Sequence, residues 1–288
     1  LWVATMKSYP HWKPKSPMDD KLLIFEDTDG DHAADVCKVF ADNLHQPTGF
    51  ELGHGGAYVS RQPDIWFMKD TDGDDKADVT TRQLVGLDSA DSHHGIAAFE
   101  WGPGGNLYFQ EGTFKQSQVE TPYGLVRLGD AGTWRYDPTP EKFEVHVSLT
   151  FANPWGHVFD DWGQEFVTDG AFGEGINHVF PGAAFVAAAG AERILRGMSP
   201  GQPKHCGIGI LSGEHLPDEY RGTFLANDFR GNRINRFAVE ESGSGYVARQ
   251  LGDLVWTDHV AFRPIDVQVG PDGAVYVADW YNPIIQHG

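Results

Sequence analysis

The sequence predicts an all-β fold, a six-bladed β-propeller of four-stranded antiparallel blades. Its ring is expected to be incomplete, because the 288 residues start and stop inside repeats. The first observation behind this is a short aromatic-bearing run that recurs six times: Leu1–Ala4, Ala57–Ser60, Leu107–Gln110, Glu165–Thr168, Thr223–Ala226 and Val275–Ala278. The aromatic positions 2, 58, 108, 166, 224 and 276 are spaced 56, 50, 58, 58 and 52 residues apart, and a period of that size marks a repeat architecture. The second is composition: 35 glycines and 9 tryptophans suit aromatic strands joined by tight turns, and no long helical period competes. The third is the flanking pattern, in which Gly-rich turns separate alternating runs as antiparallel hairpins require.

Each unit reads as four strands in order. The first is an apolar run ending in a glycine turn: Gly49–Leu52, Ile96–Gly104, Gly156–Phe159, Gly207–Gly222 and Asp266–Val269. The aromatic run is the second strand. The third is predicted at Leu22–Phe25, Asp64–Met68, Leu125–Leu128 and Arg233–Phe237, and the fourth at Val36–Phe40, Val79–Leu84, Phe143–Leu149 and Val247–Leu251. Four antiparallel strands repeated radially define a propeller. Six second strands but only five first strands leave the seam open, with unpaired edges. The whole of 1–288 is then one domain, read as a piece of a longer protein.

The net charge of −19 argues against nucleic acid or an anionic membrane surface as partner. The apolar stretch Ala183–Ala191 is too short to cross a bilayer, and nothing at the N-terminus resembles a signal peptide. Two cysteines, Cys37 and Cys206, make no disulfide framework and no CxxCH.

Two loops supply eight regularly spaced aspartates, and without those eight the charge would be −11. Asp27-Thr28-Asp29-Gly30-Asp31-His32-Ala33-Ala34-Asp35 returns 43 residues later as Asp70-Thr71-Asp72-Gly73-Asp74-Asp75-Lys76-Ala77-Asp78. Carboxylates at positions 1, 3, 5 and 9 around a glycine bend converge oxygens on a hard cation, and calcium suits such a set. The expected ligands are Asp27, Asp29, Asp31 and Asp35, then Asp70, Asp72, Asp74 and Asp78, in a structural role between third and fourth strands. A solvated Asp/Gly turn is the bland alternative.

In a propeller the first strand of each unit lies innermost, so the residues just before it rim the central tunnel. Those positions hold His93 and His94, Asn153 and Trp155 with His157, His205, and His259 with Arg263. Imidazole is the side chain best suited to take a proton near neutral pH, and several converging on one pocket suggest chemistry there.

His94 stands eight residues before Gly102-Pro103-Gly104-Gly105-Asn106-Leu107-Tyr108. This resembles the soluble quinoprotein glucose dehydrogenases, in which a histidine precedes such a hairpin by the same interval and serves as general base. His205 through Gly222 resembles the sorbosone dehydrogenase branch. Over nearly the whole chain, runs such as Asp91-Ser92-His93-His94, Phe151-Ala152-Asn153-Pro154-Trp155-Gly156-His157 and Ala278-Asp279-Trp280-Tyr281-Asn282-Pro283 resemble the membrane-bound dehydrogenase propellers of planctomycetes and verrucomicrobia. The resemblance implies a quinone-linked sugar or alcohol dehydrogenase of the periplasm or cell envelope. Pyrroloquinoline quinone would sit over the tunnel mouth, His94 and His93 would be the catalytic pair, and electrons would pass to a cytochrome c module outside this chain. Asn153, Trp155, His157, His205, Arg230 and Arg263 would shape the cofactor site. The sequence departs from the quinoproteins at Ala152, where they carry an arginine, and at Trp155, where they carry a glutamine. Two other readings stay open: a calcium-stabilised propeller that binds carbohydrate or a protein without catalysis, and a lactonase-like metal hydrolase. The latter would need a tunnel glutamate, which the sequence reading does not supply.

Overall fold

The computed structural model describes residues 1–9, 13, 15–149, 151–171, 175–185, 192, 195, 197–198 and 204–284. These residues form antiparallel sheets that follow one another along the chain, with no α-helix among them. The first sheet holds β1 (Trp2–Ala4), β2 (Asp20–Glu26) and β3 (Val36–Leu44). The second holds β4 (Phe50–Gly53), β5 (Gly56–Arg61), β6 (Asp64–Lys69) and β7 (Val79–Leu84). The third starts with β8 (Ala97–Trp101) and β9 (Leu107–Glu111). It then sends out a separate hairpin, β10 (Gln116–Thr121) and β11 (Gly124–Gly129), before closing with β12 (Gly132–Asp137) and β13 (Lys142–Ser148). The fourth is β14 (Pro154–Phe159), β15 (Glu165–Asp169) and β16 (Gly175–Val179). The fifth is β17 (His205–Ile210), β18 (Phe224–Asp228), β19 (Arg233–Ser242) and β20 (Gly245–Gln250), with the short β21 (Val255–Trp256) also on β19. The sixth is β22 (Pro264–Val269) and β23 (Val275–Asp279).

All six aromatic runs are strands, and five are the second strand of their sheet. The aspartate loops join β2 to β3 and β6 to β7, as the repeat predicts. One assignment is corrected. Leu125–Leu128 is not the third strand of its sheet but part of the β10–β11 hairpin, while β12 takes the place beside β9, pairing Trp134 with Phe109 and Tyr136 with Leu107. Burial decides between them. Trp134 and Tyr136 are fully buried, whereas Leu125 is 45% exposed, so the run with the two large aromatics fills the interior.

The apolar clusters alternate with the sheets. Leu22, Ile24 and Phe40 of the first sheet pack on Ala57, Val59 and Met68 of the second, and Tyr58 and Ile65 of the second pack on Phe99, Phe109 and Trp134 of the third. Val147 meets Val167 and Val179 between the third and fourth, Phe166 meets Phe224 and Phe237 between the fourth and fifth, and Ile234 meets Val267 between the fifth and sixth. The second to fifth sheets therefore each bury their two faces against their two neighbours in chain order, the radial packing of a propeller-like fold.

The first strands lie beside one another, β4 with β8, β8 with β14, β14 with β17 and β17 with β22. Glycine allows the closest of these approaches. A Cβ on Gly156 would lie 2.7 Å from the Cys206 carbonyl oxygen, and one on Gly207 would lie 2.8 Å from the Asp266 Cα.

A repeated latch fixes where these strands begin. The Asp169 carboxylate at the end of β15 accepts the backbone N–H of Asn153 (3.0 Å) and of Ala171 (3.0 Å). Asp228, ending β18, accepts from Lys204 (3.2 Å) and Gly231 (3.0 Å), and Asp279, ending β23, from Arg263 (2.7 Å) and Tyr281 (2.9 Å). In each case the residue after the aspartate donates its N–H back to the carbonyl of the residue so held: Gly170 to Asn153, Phe229 to Lys204 and Trp280 to Arg263. Gly112 donates in the same way to His94. His94, Asn153, Lys204 and Arg263 are thus one position repeated in four consecutive sheets.

Candidate functional site

These four positions stand at one end of the neighbouring first strands, the end where the repeat places the mouth. His94 ends the short 3-10 turn Ser92–His94, whose preceding residue Asp91 accepts the His93 N–H at 2.9 Å. Asp91 also places a carboxylate oxygen 3.1 Å from His94 Nδ1, and on the other side of the ring Nε2 lies 3.0 Å from the side-chain oxygen position of Asn153. With a proton on Nε2, that nitrogen donates to the Asn153 oxygen as it stands; with the proton on Nδ1, toward the carboxylate, Nε2 is the basic atom. Asn153 satisfies that atom with its NH2 once the amide is turned by half a rotation, which preserves its shape. His94 is buried, so Nε2 opens to a ligand only where Asn153 and its surroundings yield. His93 Nδ1 lies 3.1 Å from the Tyr9 hydroxyl, and burial, with the Asp91 charge, pushes that phenol up to about 12.

The segment after β9 bolts this turn down. Lys115, fully buried, donates from Nζ to the Asp88 carbonyl (3.0 Å) and to the Asp91 carbonyl. Burial lowers its pKa, and burial also pushes neighbouring Glu111 up to about 7, against a 2.7 Å hydrogen bond from Ser117. Gly112 brings its backbone so close to His94 that a Cβ would meet the imidazole at 2.9 Å.

Of the residues predicted for a cofactor, Asn153, Trp155 and Arg230 are at the mouth. Trp155 is half-buried and its ring centre lies 6.0 Å from Phe229, which stacks in turn on Trp280 at 5.4 Å. Arg230 is exposed at the end of the fifth sheet's inner hairpin. Lys204, which sequence reasoning passed over, takes the rim position of that sheet, its Nζ 3.4 Å from the Gly170 carbonyl.

Four predicted residues are turned away from the mouth or already engaged. His205, one residue beyond the rim, is fully buried with Nε2 3.3 Å from Asn235, and burial pushes it down to about 4 against that hydrogen bond. His157 turns into the seam between the third and fourth sheets, Nε2 2.9 Å from Glu165, whose other oxygen lies 2.6 Å from His146. Burial alone would push Glu165 up, but the two histidines outweigh it and hold the carboxyl at about 2. Arg263 is on the rim, yet its guanidinium is taken up by the carbonyls of Phe229 (2.9 Å), Arg230 (3.3 Å) and Asn282 (3.1 Å). His259 lies in a loop and stacks on Tyr281 at 5.6 Å.

The inner strands also carry carboxylates that sequence reasoning did not count. Burial pushes Glu51 of β4 up to about 7, with a contribution from the Asp266 charge. Burial, with the charges of Glu51 and Asp266, pushes Glu100 of β8 up to about 8. Asp266 of β22 is reachable by solvent yet ringed by protein, and burial raises it too. Acids on the second, third and sixth sheets that feel one another face a common axis.

Among the described residues, the carboxylate groups close enough to share one cation are Asp27, Asp29 and Asp31, and Asp70, Asp72 and Asp74, each set within 4.8 Å. In both loops backbone N–H groups also donate to the carboxylates, Gly30 and His32 to Asp27 and Gly73 and Asp75 to Asp70. The ninth-position acids turn away from the cluster, Asp35 to Thr28 and Asp78 to Thr71. Lys38 ties the two loops' sheets together through Asp75 at 2.7 Å and Glu26 at 2.8 Å.

The fold is that of a β-propeller-like protein, and solved propellers superpose on it. A Thermus thermophilus protein described as a "putative oxidoreductase (glucose dehydrogenase)" superposes with a TM-score of 0.63 at 19% identity, over 91% of this chain and 84% of that one. A glucose dehydrogenase structure gives 0.53 at 15% identity over 96% and 92%, and a protein described as a "putative gluconolactonase" gives 0.56 at 15% over 91% and 78%. At these identities the likeness establishes the fold. The sequence matches the family described as "Domain of unknown function (DUF7133)" over residues 1–194 and 174–288, and the chain belongs to that family. None of the curated protein sequences matches it.

Proposed function

We propose that the mouth oxidises a hydroxyl group of a sugar or alcohol, with His94 Nε2 taking the hydroxyl proton while the carbon-bound hydride leaves to a quinone. The observation that supports this reading is the place of His94 between the Asp91 carboxylate, 3.1 Å from Nδ1, and the Asn153 amide, 3.0 Å from Nε2. A quinone of the pyrroloquinoline type needs a flat face to lie on and cations for its carboxylates and carbonyl oxygens. The half-buried ring of Trp155, the Asn153 amide, and Lys204 and Arg230 fit that demand in kind, while Arg263, His157 and His205 are committed to other partners. When bound, the quinone supplies the hydride acceptor. Asp91 stabilises the imidazolium that forms on His94, and His93 with Tyr9 supports the turn from the other side.

The same reading includes calcium held structurally by the two aspartate loops, and electron delivery to a cytochrome c module outside this chain. It takes 1–288 as one six-bladed, incompletely closed propeller domain from the cell envelope. The resemblance to the planctomycete and verrucomicrobial dehydrogenase propellers supports this.

The deciding experiment titrates the full-length protein with pyrroloquinoline quinone, with and without calcium, and follows dye-linked turnover on a sugar panel. Quinone binding with turnover that is lost in His94→Gln is the expected result. No quinone binding at micromolar concentrations would remove the mechanism and leave the fold intact.

A further inference from the structure

Phe114 combines three unusual properties. Its backbone is left-handed, with φ of 66°, a conformation that costs a bulky residue energy. Its side chain is 71% exposed, so burial does not repay that cost. Its ring nevertheless lies 5.7 Å from the His94 imidazole, at a tilt of 51°.

The neighbours hold it there. Asp130 accepts the Phe114 N–H at 2.9 Å and the Thr113 hydroxyl, which fixes the strained turn. The next residue, Lys115, is fully buried and anchored on the carbonyls of Asp88 and Asp91. The chain therefore passes from an open aromatic to a fully enclosed lysine in one step, and the turn that carries His94 is the element to which both are tied. A strained residue that buries little and stands beside a rim histidine is best explained by a ligand absent from the free protein.

We propose that Phe114 is the stacking platform for a pyranose ring presented to His94. This rests on the reading of the mouth as a hydroxyl-oxidising site and narrows its substrate from alcohols in general to cyclic sugars. The apolar face of a pyranose carries axial C–H bonds, whose positive edge suits the negative face of an aromatic ring. A short linear alcohol has no such face and gains little from Phe114.

Calorimetric titration of the full chain with D-glucose and with glycerol tests this without depending on turnover. Phe114→Gly removes the ring and relieves the left-handed backbone, so the variant is expected to melt no lower than the wild type. Its glucose affinity should fall roughly three- to tenfold, the range of an aromatic stacking contact, with glycerol binding unchanged. Phe114→Trp should restore it. Unchanged glucose affinity in Phe114→Gly overturns the proposal, as does failure of glucose to bind the wild type. It also falls if the loss is confined to quinone binding, which would assign the platform to the cofactor. If Phe114 governs glucose binding but no dye-linked oxidation is seen, the platform stands and the oxidation reading fails.

Discussion

Glu165 Oε2 lies 2.6 Å from His146 Nε2 in the buried seam between the third and fourth sheets. The same carboxylate reaches His157, so one acid from β15 joins β13 and β14 through two rings that Tyr108 also touches. Removing one partner of a buried charged pair leaves the others uncompensated. Glu165→Gln is expected to lower stability at pH 7 by about 3 kcal/mol. Its folded pKa of about 2 is below the unfolded carboxylate value of about 4.3. The wild-type advantage is therefore present above pH ~4.3 and lost as pH falls towards 2. Urea denaturation of both proteins from pH 3 to 7 checks this, and an equal difference at every pH would refute it.

The inner-strand acids work in the opposite sense. Glu51 and Glu100 titrate near 7 and 8 when folded, above their unfolded value, so the folded state holds protons that the unfolded chain has released. Stability from these groups is complete below pH ~4.3 and declines as pH rises to about 8. Thermal melts should show a falling Tm between pH 5 and 8, with a shallower slope in Glu100→Gln. A slope unchanged by that substitution would place the pH dependence elsewhere.

Under the proposed reaction, His94→Gln should reduce dye-linked turnover by roughly 10²- to 10⁴-fold, the usual contribution of a positioned base. Its Tm should change little. A variant that keeps full turnover would exclude His94 as proton acceptor.

The aspartate loops make a separate prediction. Calcium at a hundred times its Kd should add about 2.7 kcal/mol of stability per site through linkage, raising the Tm in a way that chelation reverses. Asp29→Asn with Asp72→Asn should abolish the rise. A wild-type Tm indifferent to millimolar calcium would leave the loops as self-contained turns, held by the N–H donors of Gly30 and Gly73.

The aromatic runs and both aspartate loops were legible because they repeat, and repetition shows above any single residue's noise. Trp134 was missed as a third-strand residue because Leu125–Leu128 has an equally good alternating pattern, and only burial separates them. His205 was placed one residue off the rim. With a side-chain period of two, that step turns a mouth residue into a core residue and hides Lys204, the true rim position. Glu51 and Glu100 stand in runs read as ordinary first strands. A strand whose two faces meet neighbouring blades offers an acid little bulk water, and that was the signal available. Nothing local marks Phe114, whose backbone strain is invisible in sequence.

The latch aspartates have an electrostatic consequence. A chain of net charge −19 would ordinarily repel an anionic ligand from every side. At the mouth, however, Asp169, Asp228 and Asp279 are each spent on two backbone N–H groups, so their charge is met by fixed dipoles where they stand. The residues those latches position, Asn153, Lys204 and Arg263, are neutral or cationic. The device that starts each inner strand thus also keeps these three carboxylates from presenting bare charge where the inner strands begin.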